Sequence, residues 1–209
     1  RPPRDPYRVW VSEIMLQQTR VEAVIPYYER FLAAFPDPAA LAAAPDNLLL
    51  KLWEGLGYYA RARNLREAAR RIAQERGGRL PGTAAEWAAL PGVGRYTAGA
   101  IASIAFGERT PVVDGNVKRA LARLFAIEEP VDAAAGEKAI WDLAGRLVPR
   151  AAPGDFNEAV MELGARVCLP RRPRCGECPV ARWCEARRLG LAGRLPARRP
   201  RKSTPHYEI

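Results

Sequence analysis

Apolar residues recur along most of this chain at three- and four-residue intervals, the spacing that gathers them on one face of an α-helix. The first such run, Tyr7 to Thr19, opens behind Pro6, which suits a first helical turn. Val21 to Phe35 continues helically, with a kink predicted at Pro26. Pro36-Asp37-Pro38 breaks the pattern, short helices are predicted around Ala39–Ala43 and Asp46–Glu54, and Gly55-Leu56-Gly57 reads as a turn. Tyr58 to Gln74 has the pattern of a long amphipathic helix with a strongly basic face, closed by Gly77-Gly78. Further helices are predicted near Thr83–Ala89, over Tyr96–Phe106, from a cap at Asp114 to Phe125, over Asp132–Leu147, over Phe156–Val167 and over Pro179–Arg187. No stretch sustains the strict alternation of several strands and no internal repeat is visible, so the predicted class is all-α. The basic, proline-rich stretch from Arg194 to Pro205 reads as a linker, and His206-Tyr207-Glu208-Ile209 as the opening of a strand.

Composition narrows the possibilities. A chain of 209 residues holds one large domain or two modest ones. No apolar run approaches the roughly 20 residues that span a bilayer, and no secretory signal opens the sequence. The net charge is +10, which favours a polyanionic partner such as nucleic acid, although a basic enzyme without one fits charge alone as well. From Cys168 to Lys202 the only acids among many arginines are Glu177 and Glu185. All four cysteines fall between Cys168 and Cys184, a clustering that points to a metal or cluster site in a reducing compartment rather than to a disulfide framework.

Four patterns carry chemistry. Leu90-Pro91-Gly92-Val93-Gly94 lies between two predicted helices, and its glycines allow a tight turn that presents backbone N–H groups to a phosphate; an ordinary helix–helix turn needs the same glycines. Asp114, in Val112-Val113-Asp114-Gly115-Asn116-Val117, reads as a helix N-cap, a role compatible with a further one for its carboxylate. Glu13 sits in the apolar run Val9 to Leu16. Burial there would raise its pKa and keep a proton available near neutrality, while a solvent-facing position is the simpler reading; the following Gln17-Gln18-Thr19 suits a helix end that reaches into a base stack. The fourth pattern is Cys168-x6-Cys175-x2-Cys178-x5-Cys184, which by spacing alone fits structural zinc as well as an iron–sulfur cluster. Arg171, Arg172, Arg174 and Arg182 around it suit phosphate contact, charge compensation or plain solvation.

Together, Ser12–Thr19 (SEIMLQQT), Gly55–Leu65 (GLGYYARARNL), Leu90–Ile101 and Asp114–Arg119 (DGNVKR) closely resemble the MutY family of adenine DNA glycosylases, in order and over nearly the whole chain. The cysteine spacing matches the [4Fe–4S] loop of the endonuclease III superfamily, and the Leu90–Gly94 turn its helix-hairpin-helix. The resemblance implies hydrolysis of the N-glycosidic bond of adenine mispaired with 8-oxoguanine or guanine in double-stranded DNA. It implies that Glu13 protonates adenine N7, that Asp114 stabilises the sugar cation, and that Asn116 positions the water or Asp114. Tyr96 stands where a bifunctional relative carries a Schiff-base lysine, so a monofunctional enzyme is expected. Tyr58 and Gln18 match residues inserted into the base stack, with Leu56 and Thr19 beside them. Glu158 and Arg1 match adenine-pocket residues, and Leu90, Gly92, Val93 and Gly94 the phosphate-binding turn. Cys168, Cys175, Cys178 and Cys184 match the ligands of the cluster.

The implied architecture is a six-helix barrel with the hairpin over residues 7–110, a cluster domain over 111–190 with Asp114 at the junction, and a linker over 191–209. DNA is expected across the cleft between the two. Family members start with a further N-terminal helix and continue into a MutT-like domain that reads 8-oxoguanine. A catalytic-core fragment with weaker preference for 8-oxoguanine over guanine is therefore expected. A monomer in the bacterial cytoplasm, acting on DNA, is the accompanying expectation. Two rival readings stand beside this one. The first is a thymine or uracil mismatch glycosylase, against which Gln17-Gln18 and Gly57-Tyr58-Tyr59 argue. The second is a non-catalytic DNA-binding module with a zinc or redox site, which would need neither Glu13 nor Asp114.

Overall fold

Proline and aspartate start the helices of this chain, and buried tryptophans hold the first of its two units together. In the computed structural model, residues 4–199 are described. Asp5 caps α1 (Pro6–Leu16) by accepting from the N–H groups of Tyr7 and Arg8. The chain turns into α2 (Val21–Ala34), which keeps Pro26 inside it, then α3 (Pro38–Ala42), capped by Asp37, and α4 (Asp46–Trp53). Next come α5 (Ala60–Arg76), closed by left-handed Gly77, then α6 (Ala84–Ala88) and α7 (Arg95–Phe106). The remaining helices are α8 (Gly115–Leu124), α9 (Ala134–Leu147), α10 (Pro153–Arg166) and α11 (Glu185–Arg188), the last preceded by a single 3-10 turn at Ala181–Trp183. No strand occurs among the described residues, and the fold is all-α.

The chain divides into two compact units. One runs to Val112 and takes in Pro149–Asn157; the other comprises Val113–Val148 and the chain from Glu158 onward. The expected division at residue 110 is a single cut, whereas the observed first unit recovers a later segment, because Asn157 is buried and donates from Nδ2 to Ser103 Oγ (2.9 Å) and Thr110 O (2.9 Å). In the first unit, α1 packs on α7, α5 and α2, and α3 lies along α5. Trp10 packs tilted against Trp87 at 5.2 Å, and Phe31 packs edge-to-face with Trp53 at 5.9 Å. These rings bury large apolar areas, which anchors the short helices α3, α4 and α6 that would not persist alone. In the second unit, Val117 and Leu121 of α8 meet Ile140, Trp141 and Ala144 of α9.

Three sequence expectations change. The helix predicted over Pro179–Arg187 breaks at Cys184, whose extended backbone separates the 3-10 turn from α11. The basic face predicted for α5 is partly internal: Arg61 and Arg66 are buried, their terminal guanidinium nitrogens donating to backbone carbonyls while each Nε is left without a partner. Residues 191–199, expected as linker, are held to the second unit: Leu195 is buried, Arg123 Nε donates to Leu195 O (2.8 Å) and Val131 N to Ala197 O (3.2 Å). The strand expected at His206–Ile209 lies outside the described residues.

Candidate functional site

In the first unit, the candidate residues gather at the C-terminal end of α1, the loop after α4 and the turn before α7. Glu13 lies on α1 between buried Val11 and buried Ile14, and is half-buried. Helix α1 stops at Leu16. Gln17 turns its amide away from solvent to donate to Thr97 Oγ1 (3.1 Å), so only Gln18 of the polar run projects, exposed, with φ 58°. Thr19 is half-buried and donates from Oγ1 to Gln17 O (3.3 Å). In the loop after α4, Gly55 has φ 96° and no room for a side chain, since an added Cβ would come within 2.3 Å of the Tyr27 hydroxyl. Leu56 is buried, Gly57 has φ 71°, and Tyr58 follows at φ 49° with 64% of its surface exposed. A bulky residue in the left-handed region with its ring in solvent is strained and gains little from packing, which marks it for contact with something else.

The turn Leu90–Gly94 joins α6 to α7. Leu90 and Val93 are buried and close it by the Val93 N to Leu90 O bond (3.2 Å); Gly92 and Gly94 are exposed. Gly92 has φ 76°, and a Cβ there would meet Asn64 Cβ at 2.7 Å. Gly94 is the N-cap of α7, so the positive end of a 12-residue helix opens onto solvent past a residue without a side chain. Tyr96, in the first turn of α7, is half-buried. Arg1 lies outside the described residues.

In the second unit, Asp114 caps α8. Its Oδ1 accepts from Val117 N (2.7 Å) and its Oδ2 from Asn116 Nδ2 (2.9 Å). Asn116 Oδ1 in turn accepts from Arg119 Nη2 (2.8 Å), and Arg119 also donates to Gly164 O (2.7 Å) and Cys168 O (2.6 Å). A continuous chain of hydrogen bonds therefore runs from the carboxylate to the first cysteine. Burial pulls the Arg119 guanidinium below its ordinary range, with the Cys168 thiol next in effect, acting the other way. Glu158 is half-buried on α10.

Cys168, Cys175, Cys178 and Cys184 line one cavity, together with Arg123, Val167 and Val180. Burial pushes the Cys178 thiol up, and the other three cysteines add to that push. Four thiols lining one cavity are a donor set that suits either zinc or an iron–sulfur cluster. Arg123 is 2% exposed; it donates to Cys168 Sγ (3.4 Å), Leu169 O (2.6 Å) and Pro170 O (3.1 Å), which offsets thiolate charge and fixes the loop. Among the arginines flagged by sequence, Arg182 stacks on the exposed Trp183 ring at 3.7 Å and Arg174 lies 3.8 Å from Glu177.

Sequence reasoning missed Arg61, Arg119 and Arg123. The available signal for the last two was their placement: Arg119 and Arg123 are four apart on α8, on one helix face, with apolar Ala120, Leu121 and Ala122 between them.

The model of the HhH-GPD superfamily base excision DNA repair protein matches residues 11–145, and that of the iron–sulfur binding domain of endonuclease III matches residues 168–184. The cysteine segment is thus an iron–sulfur binding domain, and the chain carries a [4Fe–4S] cofactor. An adenine DNA glycosylase of Rattus norvegicus is 53% identical over 93% of this chain and 38% of its own length; one of Homo sapiens is 54% identical over 88% of this chain and 34% of its own. The chain thus spans less than half the length of these relatives. A solved thermostable thymine-DNA glycosylase superposes with a TM-score of 0.81 at 32% identity, over 90% of this chain and 87% of that one. No helix among the described residues is long and apolar enough to cross a membrane.

Proposed function

We propose, from the premise that the chain belongs to the HhH-GPD superfamily of base excision DNA repair proteins, that it is a monofunctional adenine DNA glycosylase acting on adenine opposite 8-oxoguanine or guanine in duplex DNA. The observation that carries the reading is an identity of 53–54% to adenine glycosylases, against 32% to the thymine enzyme, over about the same share of the chain. A monomer working on DNA in a bacterial cytoplasm belongs to the same proposal.

Adenine leaves the stack while Gln18 and Tyr58 take its place beside the partner base. The amides at Gly92–Gly94 and the N-terminus of α7 hold a backbone phosphate. Glu13 donates its proton to adenine N7. The C1′–N9 electron pair then departs with the base, and the deoxyribose becomes an oxocarbenium ion beside the Asp114 carboxylate. Asn116 Nδ2 donates to Oδ2 and the Val117 N–H donates to Oδ1, which keeps the Asp114 carboxylate aimed. Water adds to C1′, and its proton restores the Glu13 acid. Tyr96 offers a phenol where an amine would be needed for an imine, so strand cleavage is not expected. Glu158 is assigned to contact with the adenine. Cys168, Cys175, Cys178 and Cys184 would hold the cluster, which would cross-link the 168–184 loop.

The test is adenine excision from an A·8-oxoguanine duplex under single-turnover conditions. Glu13→Gln should lose about 10²–10⁴-fold in rate while still binding the duplex. Unchanged excision, or preferential release of thymine from a T·G duplex by the wild type, would overturn the reading.

A further inference from the structure

Gln18 and Tyr58 are far apart in sequence yet share an unusual state. Both are exposed, and both hold positive φ, 58° and 49°, without being glycine. That conformation costs a non-glycine residue about 1–2 kcal/mol and lasts only where the surroundings impose it. One side chain grips both segments. Arg61, near the start of α5, is 9% exposed. Its Nη1 donates to the carbonyls of Ile14 (3.1 Å), Met15 (2.9 Å) and Gln17 (2.6 Å). Its Nη2 donates to the carbonyls of Leu56 (3.1 Å) and Gly57 (3.3 Å) and to Thr19 Oγ1 (3.3 Å). The first set are carbonyls that the end of α1 leaves without intrahelical partners. The second set stands directly before Tyr58. The guanidinium also lies 5.6 Å from the Tyr58 ring centre and 5.5 Å from that of Trp53.

The geometry points to Arg61 as a positioning residue: it sets Gln18 and Tyr58 as one preformed pair, so that both enter the base stack in a fixed relation. This rests on the reading that these two residues are the inserted ones. A helix end needs no buried cation to terminate it, and a loop with left-handed Gly55 and Gly57 turns without one. What the guanidinium adds is the link between the two. Its planar fork bonds acceptors on both segments at once, which an ammonium with three donors on a flexible stem does not reproduce. Ordering the pair before DNA arrives removes an entropic cost from the step in which the base is displaced.

The experiment is a double-mutant cycle in the cluster-loaded full chain, using Arg61→Lys, Tyr58→Ala and their combination. Two readouts are taken: single-turnover adenine excision from an A·8-oxoguanine duplex, and fluorescence of 2-aminopurine placed as the target base. Arg61→Lys should slow excision about tenfold or more, suppress the fluorescence rise that accompanies unstacking, and weaken duplex binding less than about threefold. Tyr58→Ala, damaging in the wild type, should cost less than about twofold further in the Arg61→Lys background. Additive losses, or an Arg61→Lys protein that melts lower but excises and unstacks as the wild type does, would overturn the assignment. If Arg61→Lys does not fold, Thr19→Val takes its place in the cycle; it removes one Nη2 acceptor, non-additivity with Tyr58→Ala is again expected, and additivity again overturns it. A wild type that excises no adenine, or a fully active Tyr58→Ala, defeats the functional reading itself. An active wild type with independent Arg61 and Tyr58 effects defeats only the role of Arg61.

Discussion

At the scale of single residues, Asp114 caps α8 with the same carboxylate to which the proposed function assigns the sugar cation. Capping α8 uses Oδ1, and the amide of Asn116 holds Oδ2, so both carboxylate oxygens are fixed from within α8. That orientation depends on a position with no chemistry of its own. Gly164 of α10 lies so near α8 that an added Cβ would meet Asn116 Cβ and Asn116 O, each at 2.7 Å. Gly164→Ala should therefore push α8 and α10 apart, costing about 1–3 kcal/mol in denaturant melts. It should also slow excision more than that stability loss explains, because Asn116 carries the strain to Asp114. Loss of stability with an unaltered rate per folded molecule would show that Asn116 does not transmit it. Asp114 as a cap was legible from Asp114-Gly115-Asn116 alone. The importance of Gly164 was not, since a glycine inside a helix pattern does not say which neighbour it admits.

Among the elements, α6 is the least self-sufficient, five residues long, yet it carries the entry to the Leu90–Gly94 turn. Its start is fixed by a capping box. Thr83 Oγ1 accepts from Glu86 N, and Glu86 Oε2 accepts from the N–H groups of Gly82 and Thr83, while Arg76 Nη2 holds Oε1 at 2.7 Å. The Arg76 guanidinium foremost, then these amides, lower the Glu86 pKa from 4.5 to about 2. A carboxyl group held lower in the folded state than in the unfolded chain stabilises the fold above the unfolded value, and that contribution fades as pH falls through the folded one. The stability gap between wild type and Glu86→Gln should thus be full at about pH 6 and shrink toward about pH 2. Thr83→Ala should cost about 1 kcal/mol. Equal gaps at both pH values would mean that the Glu86 charge contributes nothing. The helices on either side of this turn were visible in the sequence to within a residue or two, because caps and glycines are local signals.

On the scale of the whole molecule, the two units depend on different forces. The first closes on a large apolar core that includes Trp10, Trp53 and Trp87. The second has a small apolar core, and its last part is tied by cysteines, by Arg123 and by the docked residues up to Arg199, whose N–H donates to Asp132 Oδ1 (3.0 Å). Removing the iron, or replacing Cys178 by serine, should strip hydrogen-exchange protection from the 163–199 region while α1, α5 and α7 keep theirs. Visible absorbance should disappear in step with that loss. Full protection of the 163–199 region in iron-free protein would show that the cluster is not what orders it.

The sequence by itself determined the helical class, most element boundaries, the glycine turn, the Asp114 cap and the four-cysteine cluster motif. Each of these is written in residues close together along the chain, where periodicity, capping and spacing act directly. Tertiary structure alone decided that Gln17 turns inward to Thr97, that Arg61 and Arg123 are buried donors rather than surface charge, and that the 191–199 stretch docks. The physical reason is that a guanidinium or an amide is satisfied by whichever carbonyls and hydroxyls folding brings within reach, and those partners, such as Gln17 and Thr97 or Arg123 and Leu195, lie far apart in sequence.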